Sequence, residues 1–499
     1  MLPASPSVFS SKSPLELERL QQDKNRLKNW KRWGTYLPES QWGTVREDYS
    51  ADGDAWRYFD YEQAHSRAYR WGEDGILGWT DRECRLCFAP AFWNEQDIRL
   101  KEKLFGLAGP EGNHGEDVKE LYYYLDATPT HSYAKALYKY PQKAFPYAEL
   151  IQKNRERNRL DPEYELLDTG IFDDQAYFDI FVEYAKHTPD DICIRLSIHN
   201  RSLKKARLHV LPTIFFRNTW AWGCTHEGCT VKPIIYKKNT NYLILEHQTL
   251  DKFRFYAESL RVGRPPMVLF TENESNSQAI WNEPSYTPYV KDAFNRYLVH
   301  QEVDAVNPKP QGTKAAFHYI LDFKPQEAQI INLRLVKDNE APSVAFGADF
   351  EKIFQNRIDE ANHYYTYLAP QSLDEEEKKI QRQAYAGLLW SKQFYQYSVK
   401  DWLTGDPHFP PPPQERLQGR NQDWGHLYNR DILSVPDKWE YPWYAAWDLA
   451  FHMVAFAKVD PQFAKDQLIL LLREWYMHPN GQIPAYEYAF GDVNPPVHA

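Results

Sequence analysis

Between Trp33 and about Val336 the chain is a succession of short runs, apolar or alternating, cut by turn residues. Asp191–His199 (DICIRLSIH), Arg207–Phe216 (RLHVLPTIFF), Tyr242–His247 (YLILEH), Phe253–Leu260 (FRFYAESL), Ala315–Phe323 (AAFHYILDF) and Gln329–Leu335 (QIINLRL) are the clearest. β-branched and aromatic residues dominate them, with Gly, Asn, Asp and Pro between them. That pattern predicts strands joined by turns. So many in one stretch predict a large antiparallel sheet system, a β-sandwich. No internal repeat of fixed period interrupts it.

The character changes near Ala348. Asp349–Leu368 predicts a helix, and Asp374–Trp402 a longer one whose acidic opening, Asp374–Glu377, suits a helix N-terminus. The stretch from Gly405 to about Pro436 is polar, contains Pro410–Pro413 and cannot be helical throughout. A long irregular loop of this kind is functional or disordered. Glu440–Val459 and Pro461–Tyr476 predict two more helices, with Pro461 suited to a first turn. At the other end, the first ~15 residues are rich in Ser and Pro and read as disordered, and Leu15–Trp30 fits an amphipathic helix. The expected fold is multidomain β + α. Residues 1–32 form a tail and helix, 33–345 the β-sandwich, 346–372 a linker helix and 373–499 the beginning of a helical domain. By helix count that last domain is expected to be incomplete at Ala499.

Charge and motifs remove several functions. Lys and Arg number 59 against 69 Asp and Glu, a net charge of −10, which argues against nucleic acid as a partner because phosphate binding needs a basic face. No apolar run reaches the ~18 residues that a membrane span needs, and the N-terminus does not read as a secretory signal. A cytoplasmic protein is expected. Five Cys in 499 residues make no disulfide framework. Cys84 and Cys87 form a C-x-x-C pair, and Cys224, His226 and Cys229 a second cluster. A zinc site would need both to converge on one metal; the plainer reading is free thiols, so neither a metal nor a cofactor is expected. Walker, G-x-G-x-x-G, H-E-x-x-H and G-x-S-x-G motifs are absent, against nucleotide-driven, dehydrogenase, zincin and α/β-hydrolase chemistry. Aromatic residues make up 15% of the chain, with 17 Trp and 34 Tyr. Rings with one polar edge suit the C–H faces of sugars as well as a bulky core.

The densest candidate site is Asp437–His452, DKWEYPWYAAWDLAFH. On a helix Tyr444, Asp448 and His452 are four residues apart and share a face; Trp443, Trp447 and Phe451 make the adjacent stripe. A carboxyl group among indole rings is poorly solvated, and desolvation favours the protonated form that a general acid needs. The alternative is an Asp hydrogen-bonded in a helical core. A second cluster, Arg473–Asp492, has a turn at Asn480-Gly481 followed by Gln482, Tyr486 and Glu487. Amide and phenol groups there suit hydroxyl recognition or simply a polar loop. Trp33–Ser50, Tyr69–Gly75, Gly112–Glu120 and Thr128–Tyr133 are polar-aromatic strings. Turn chemistry with solvated charge is the plainer reading of each, and loops that reach the helical domain the other.

The run Trp439–His452, then Val459-Asp460-Pro461 and Asn480–Glu487, resembles glycoside hydrolase family 63, most closely its long bacterial and cyanobacterial glucosidase-like branch, and Trp42–Ser50, Tyr69–Gly75, Gly112–Glu120 and Thr128–Tyr133 are similar to that branch as well. The resemblance implies a β-sandwich followed by an (α/α)6 barrel, and inverting hydrolysis of α-glucosidic linkages in oligosaccharides or glucosides. It puts the general acid on Asp448 and its partner base, a Glu, beyond residue 499. Trp443, Tyr444, Trp447, Gln482 and Tyr486 would bind sugar. With one carboxylate of two, the 499-residue chain is expected to have little or no activity. Glu440, Glu474 and Glu487 are the substitutes present. A carbohydrate-binding relative without catalysis and, less favoured, a glycoside phosphorylase are the alternatives.

Overall fold

The computed structural model describes residues 13–40, 61–107, 111–112, 117–223, 230–238, 242–260, 265–405, 407, 411–418, 422–436, 438 and 445–483. Among the described residues its β part has two large antiparallel sheets and a two-stranded one, Gly106–Leu107 with Asp117–Val118. One large sheet has the strand order Trp33–Gly34, Trp79–Asp81, Leu86–Trp93, Ala206–Phe216, Lys314–Phe323, Met267–Thr271. The other runs Gln311–Gly312, Ile234–Lys237, Tyr242–His247, Asp251–Ala257, Ala328–Lys337, Asp191–Asn200, Tyr177–Thr188, Tyr133–Pro141, Leu121–Ala127. Alternation does the local work: Ile192, Ile194, Leu196 and Ile198 are all fully buried at two-residue spacing. The sheets meet face to face through rings. Trp79 stacks on Tyr184 at 4.4 Å between centroids, Phe88 meets Phe255 at 5.7 Å and Phe178 meets Phe323 at 5.4 Å. Four helices not expected from the sequence, Tyr61–Ser66, Tyr147–Arg155, Ser277–Trp281 and Ala293–Leu298, are inserted between strands.

Four helical expectations need correction, two of them at a boundary: the helices expected over Glu440–Val459 and Pro461–Tyr476 are Ala446–Val459 and Pro461–Leu471. The first helix is Leu15–Lys24 and stops short of Trp30, because Arg26 turns the backbone into the left-handed region (φ 56). The segment Asp374–Trp402 is not one helix. Glu375–Trp390 is helical, with the Asp374 side chain accepting from the N–H groups of Glu376 (2.9 Å) and Glu377 (2.8 Å). Lys392–Ser398 is a strand paired with Tyr428–Ser434, and Val399–Thr404 a short helix. The run KQFYQYS places rings among polar side chains, and strand pairing overrides its helical neighbourhood once a partner strand is present. The same pairing orders the end of the stretch read as irregular.

The helices sit on the edge of the nine-stranded sheet. Arg382 pairs with Asp126 at the end of the outermost strand, Leu121–Ala127. Trp390 Nε1 donates to the Asp126 carbonyl at 3.0 Å, the Trp390 ring stacks on Tyr124 at 5.0 Å and 7°, and the Tyr365 hydroxyl donates to the Ala127 carbonyl. An otherwise unpaired sheet edge is thereby occupied. The first helix is fastened at the next turn. Glu16, fully buried, accepts from Thr130 N (2.8 Å), Thr130 Oγ1 (2.6 Å) and Ser132 Oγ (2.8 Å) and pairs with Arg19. Arg19 in turn pairs with Glu360 on the helix Ala348–Leu368. The strings Thr128–Tyr133 and Tyr69–Gly75 are therefore not solvated turns. Arg70, Glu73 and Asp74 are buried, and Asp74 pairs with Lys103 while Asn273 donates to Glu73. Trp71 meets the Tyr397 ring at 5.4 Å, and Arg70 lies 3.5 Å from Asp401, so this string does touch the helical part. Among the described residues no helix is long and apolar enough to cross a membrane.

His65 and His131 lie inside this packing, and burial pushes both imidazoles well below their ordinary range. The unfolded chain therefore takes up their protons near pH 6.5 and the folded one does not, so stability is lost as pH falls below 6.5. Each such group contributes up to about 1.4 kcal/mol per pH unit. Urea midpoints measured from pH 7.5 to 5 should fall with acidification, and His131→Asn, which tolerates the left-handed backbone at this position (φ 52), should flatten that fall. An unchanged slope in the variant would contradict the assignment.

Candidate active site

The helix Ala446–Val459 carries Asp448 in its first turn. Ala446, Leu449, Ala450, Met453, Phe456 and Val459 bury one side of it. The other side is open: Trp447 is 37%, Phe451 57% and Val454 73% exposed. Trp447 and Phe451, four residues apart, meet at 6.0 Å between ring centroids. Asp448 lies half-buried beside this stripe. His452, one turn on, is also half-buried, and its Nδ1 is 3.0 Å from Ser434 Oγ on the hairpin strand. Burial lowers the His452 imidazole, opposed by the charge of Asp448. His452 thus ties this helix to the hairpin strand Tyr428–Ser434. The helix presents a carboxyl group next to two exposed rings, which is the arrangement a pyranose would need: a flat apolar face and a proton donor or acceptor at its rim.

The far end of this helix is rigidly held. The Tyr364 hydroxyl donates to the Val459 carbonyl at 2.7 Å. Asp460, fully buried, accepts from Phe463 N at 3.2 Å and so caps the helix Pro461–Leu471. It also pairs with Lys31 (2.7 Å) and lies 3.6 Å from Lys392. Burial pulls the Lys392 ammonium down to about 8. The sequence carried a signal for this hub that passed unread: an Asp directly before a first-turn Pro is an N-cap pattern.

Of the other expected site residues, Trp443, Tyr444 and Tyr486 lie outside the described residues, as do Glu440 and Glu487. Gln482 is half-buried within its own turn. Its N–H donates to Asn480 Oδ1 at 2.9 Å, and its carbonyl accepts from His478 N at 2.9 Å. Glu474 is exposed in a single helical turn, Glu474–Tyr476, beside Trp475, which is 40% exposed. A carboxyl group that sequence reasoning missed is Asp431, on the strand Tyr428–Ser434 within the stretch expected to be irregular. It accepts from the Tyr476 hydroxyl at 3.0 Å, and burial pushes it up from the usual carboxylate range. Cys84 and Cys87 are buried thiols with sulfurs 3.6 Å apart, and burial raises the Cys87 thiol. Their supposed partners Cys224, His226 and Cys229 lie outside the described residues, among which no group of His, Cys, Asp and Glu could hold a metal ion.

No protein-family model matches the chain. An uncharacterized protein of Saccharomyces cerevisiae is 47% identical over 523 residues, which cover 98% of this chain and 48% of that protein. The chain therefore spans about half the length of that relative. Among solved structures, a polysaccharide lyase is similar over 36% of this chain and 22% of its own, at 12% identity and a TM-score of 0.21. A kojibiose phosphorylase from the human microbiome is similar over 72% of this chain and 38% of its own, at 8% identity and a TM-score of 0.23. Neither structure is close enough to assign a fold or an activity to this chain.

Asp460 gives a direct test of how the site helix is held. Asp460→Ala leaves Lys392 buried without its counter-charge and removes the cap, and should lower stability by about 3–5 kcal/mol in urea unfolding. Asp460→Asn keeps a capping oxygen and should lose about 1 kcal/mol less. Equal losses would mean that the cap contributes nothing.

Proposed function

We propose that this chain carries the acid half of an inverting glycoside hydrolase acting on α-glucosidic linkages. Asp448 protonates the glycosidic oxygen as the bond breaks. Trp443, Trp447 and Tyr486 supply stacking faces, Gln482 holds a hydroxyl, and Tyr444 also binds the sugar. The observation that carries the reading is a half-buried carboxyl group beside an exposed Trp447–Phe451 ring pair, on a helix anchored at its other end. It is joined by the family 63 resemblance of the motif around it. An inverting mechanism needs a second carboxyl group ~6.5–9.5 Å away to activate water, and the resemblance assigns that role to a Glu beyond residue 499.

The protein to assay is a chain carried through to the length of the yeast relative. Asp448→Asn should lower the rate by ~10²–10⁴ on α-glucosides with poor leaving groups, and by less on aryl glucosides, whose leaving groups need no proton. An unaffected rate on the poor leaving groups would remove Asp448 from the mechanism. Tight oligosaccharide binding without turnover in that same chain would favour a binding protein instead.

A further inference from the structure

A large cavity lies away from Asp448. Its volume is about 1120 Å³, and its walls come from five separate parts of the chain. They are the end of the first helix with the chain after it as far as Tyr36, the sandwich turn at Arg82, the start of the hairpin strand Lys392–Ser398, its partner strand that carries Asp431, and the start of the helix Pro461–Leu471. Asp448 and Asp460 stand at opposite ends of one helix, ~18 Å apart at 1.5 Å per residue, and the cavity is at the Asp460 end.

The walls carry six cationic side chains against four acidic ones, Asp23, Glu83, Asp431 and Asp466, a small cationic excess. Lys31 and Lys392 are committed to Asp460, and Arg430 to Glu83. Asp23 accepts from Lys31 N at 3.0 Å, and Asp466 from the Gln462 amide at 2.8 Å. The side chains of Lys24, Arg26 and Arg82 also line the cavity and make no hydrogen bond or ion pair among the described residues, although the charge of Arg82 is felt by Tyr36 and Asp431. Facing them is Asp431, whose burial favours its protonated form and which keeps one oxygen on the Tyr476 hydroxyl. The half-buried Phe463 ring, backed at 3.9 Å by the Lys392 ammonium, and the exposed Asn29 amide complete the wall.

We propose that this cavity binds a small polyhydroxylated anion, a sugar bearing a phosphate or a carboxylate. Arg26 and Arg82 receive the anion, because guanidinium groups offer paired donors matched to phosphate and carboxylate oxygens, and Lys24 adds charge. Asn29 and Asp431 take hydroxyl groups, and the Phe463 ring takes a C–H face of the sugar. The site is separate from the reading of Asp448 and stands without it.

Calorimetric titration of the 499-residue chain with glucose 6-phosphate, gluconate, inorganic phosphate and glucose tests this. At least one sugar anion should bind, and glucose and inorganic phosphate should bind much more weakly. Glucose 6-phosphate alone would identify the phosphate form, and gluconate alone the acid. The affinity should fall about tenfold or more in the Arg26→Ala/Arg82→Ala double variant, since two charge-assisted contacts are lost. It should be unchanged in Asp448→Asn. Binding of neither sugar anion, equal binding of glucose or of inorganic phosphate, or full affinity in the double variant would each overturn the proposal. Both arginines are exposed, so their removal leaves the fold intact.

Discussion

Asp460 joins segments more than four hundred residues apart, and the helix that carries Asp448 ends on it. Its carboxylate has no access to solvent, caps the helix Pro461–Leu471 and pairs with Lys31 from the N-terminal region. A buried charge left alone costs several kcal/mol, so it persists only where all its partners are present at once. Those partners are the first segment of the chain, the hairpin strand at Lys392 and the turn between two helices. The same device recurs where the other layers meet. Glu16 gathers Thr130, Ser132 and Arg19, and Asp126 takes Arg382. Lys186, buried and pulled down to about 7, donates to the carbonyls of Trp30 (2.6 Å) and Thr130 (3.1 Å). Apolar packing makes the layers cohere; these charges fix their register, because each has one satisfying arrangement.

The strands were legible because their signal is local. Side chains that alternate between core and exterior write a two-residue period into the sequence, and Asp191–Asn200 or Lys314–Phe323 could be read from it to within a residue or so. The strand Lys392–Ser398 was not legible. It follows a well-capped helix without a break residue, and what makes it a strand is its distant partner, Tyr428–Ser434. The string Tyr69–Gly75 misled for a related reason. Charge in a sequence suggests solvent, but here Asp74 is neutralised by Lys103, and Glu73 is bound by Asn273, two hundred residues on. Long-range pairing leaves no trace in one sequence.

Legibility of the site divides in the same way. The four-residue spacing of Trp447 and Phe451, and of Asp448 and His452, placed them on a helix, and the ring pair is in contact. Asp431 was hidden within the stretch expected to be irregular, and with it the cavity, whose walls come from five chain segments. The functional account therefore has two ends of one helix. Asp448 stands at the end with exposed rings, and the cationic cavity lies at the end held by Asp460.

The central claim is that the Asp448 end performs acid-assisted inversion at a glucosidic carbon. The most direct measurement is the anomer first released from an α-glucoside by the chain carried to the length of its relative, followed by proton NMR before mutarotation. The account predicts β-glucose as the first product, with α-glucose appearing only as the anomers equilibrate. α-Glucose as the first product would contradict inversion, and a glucose 1-phosphate product that requires added phosphate would contradict hydrolysis.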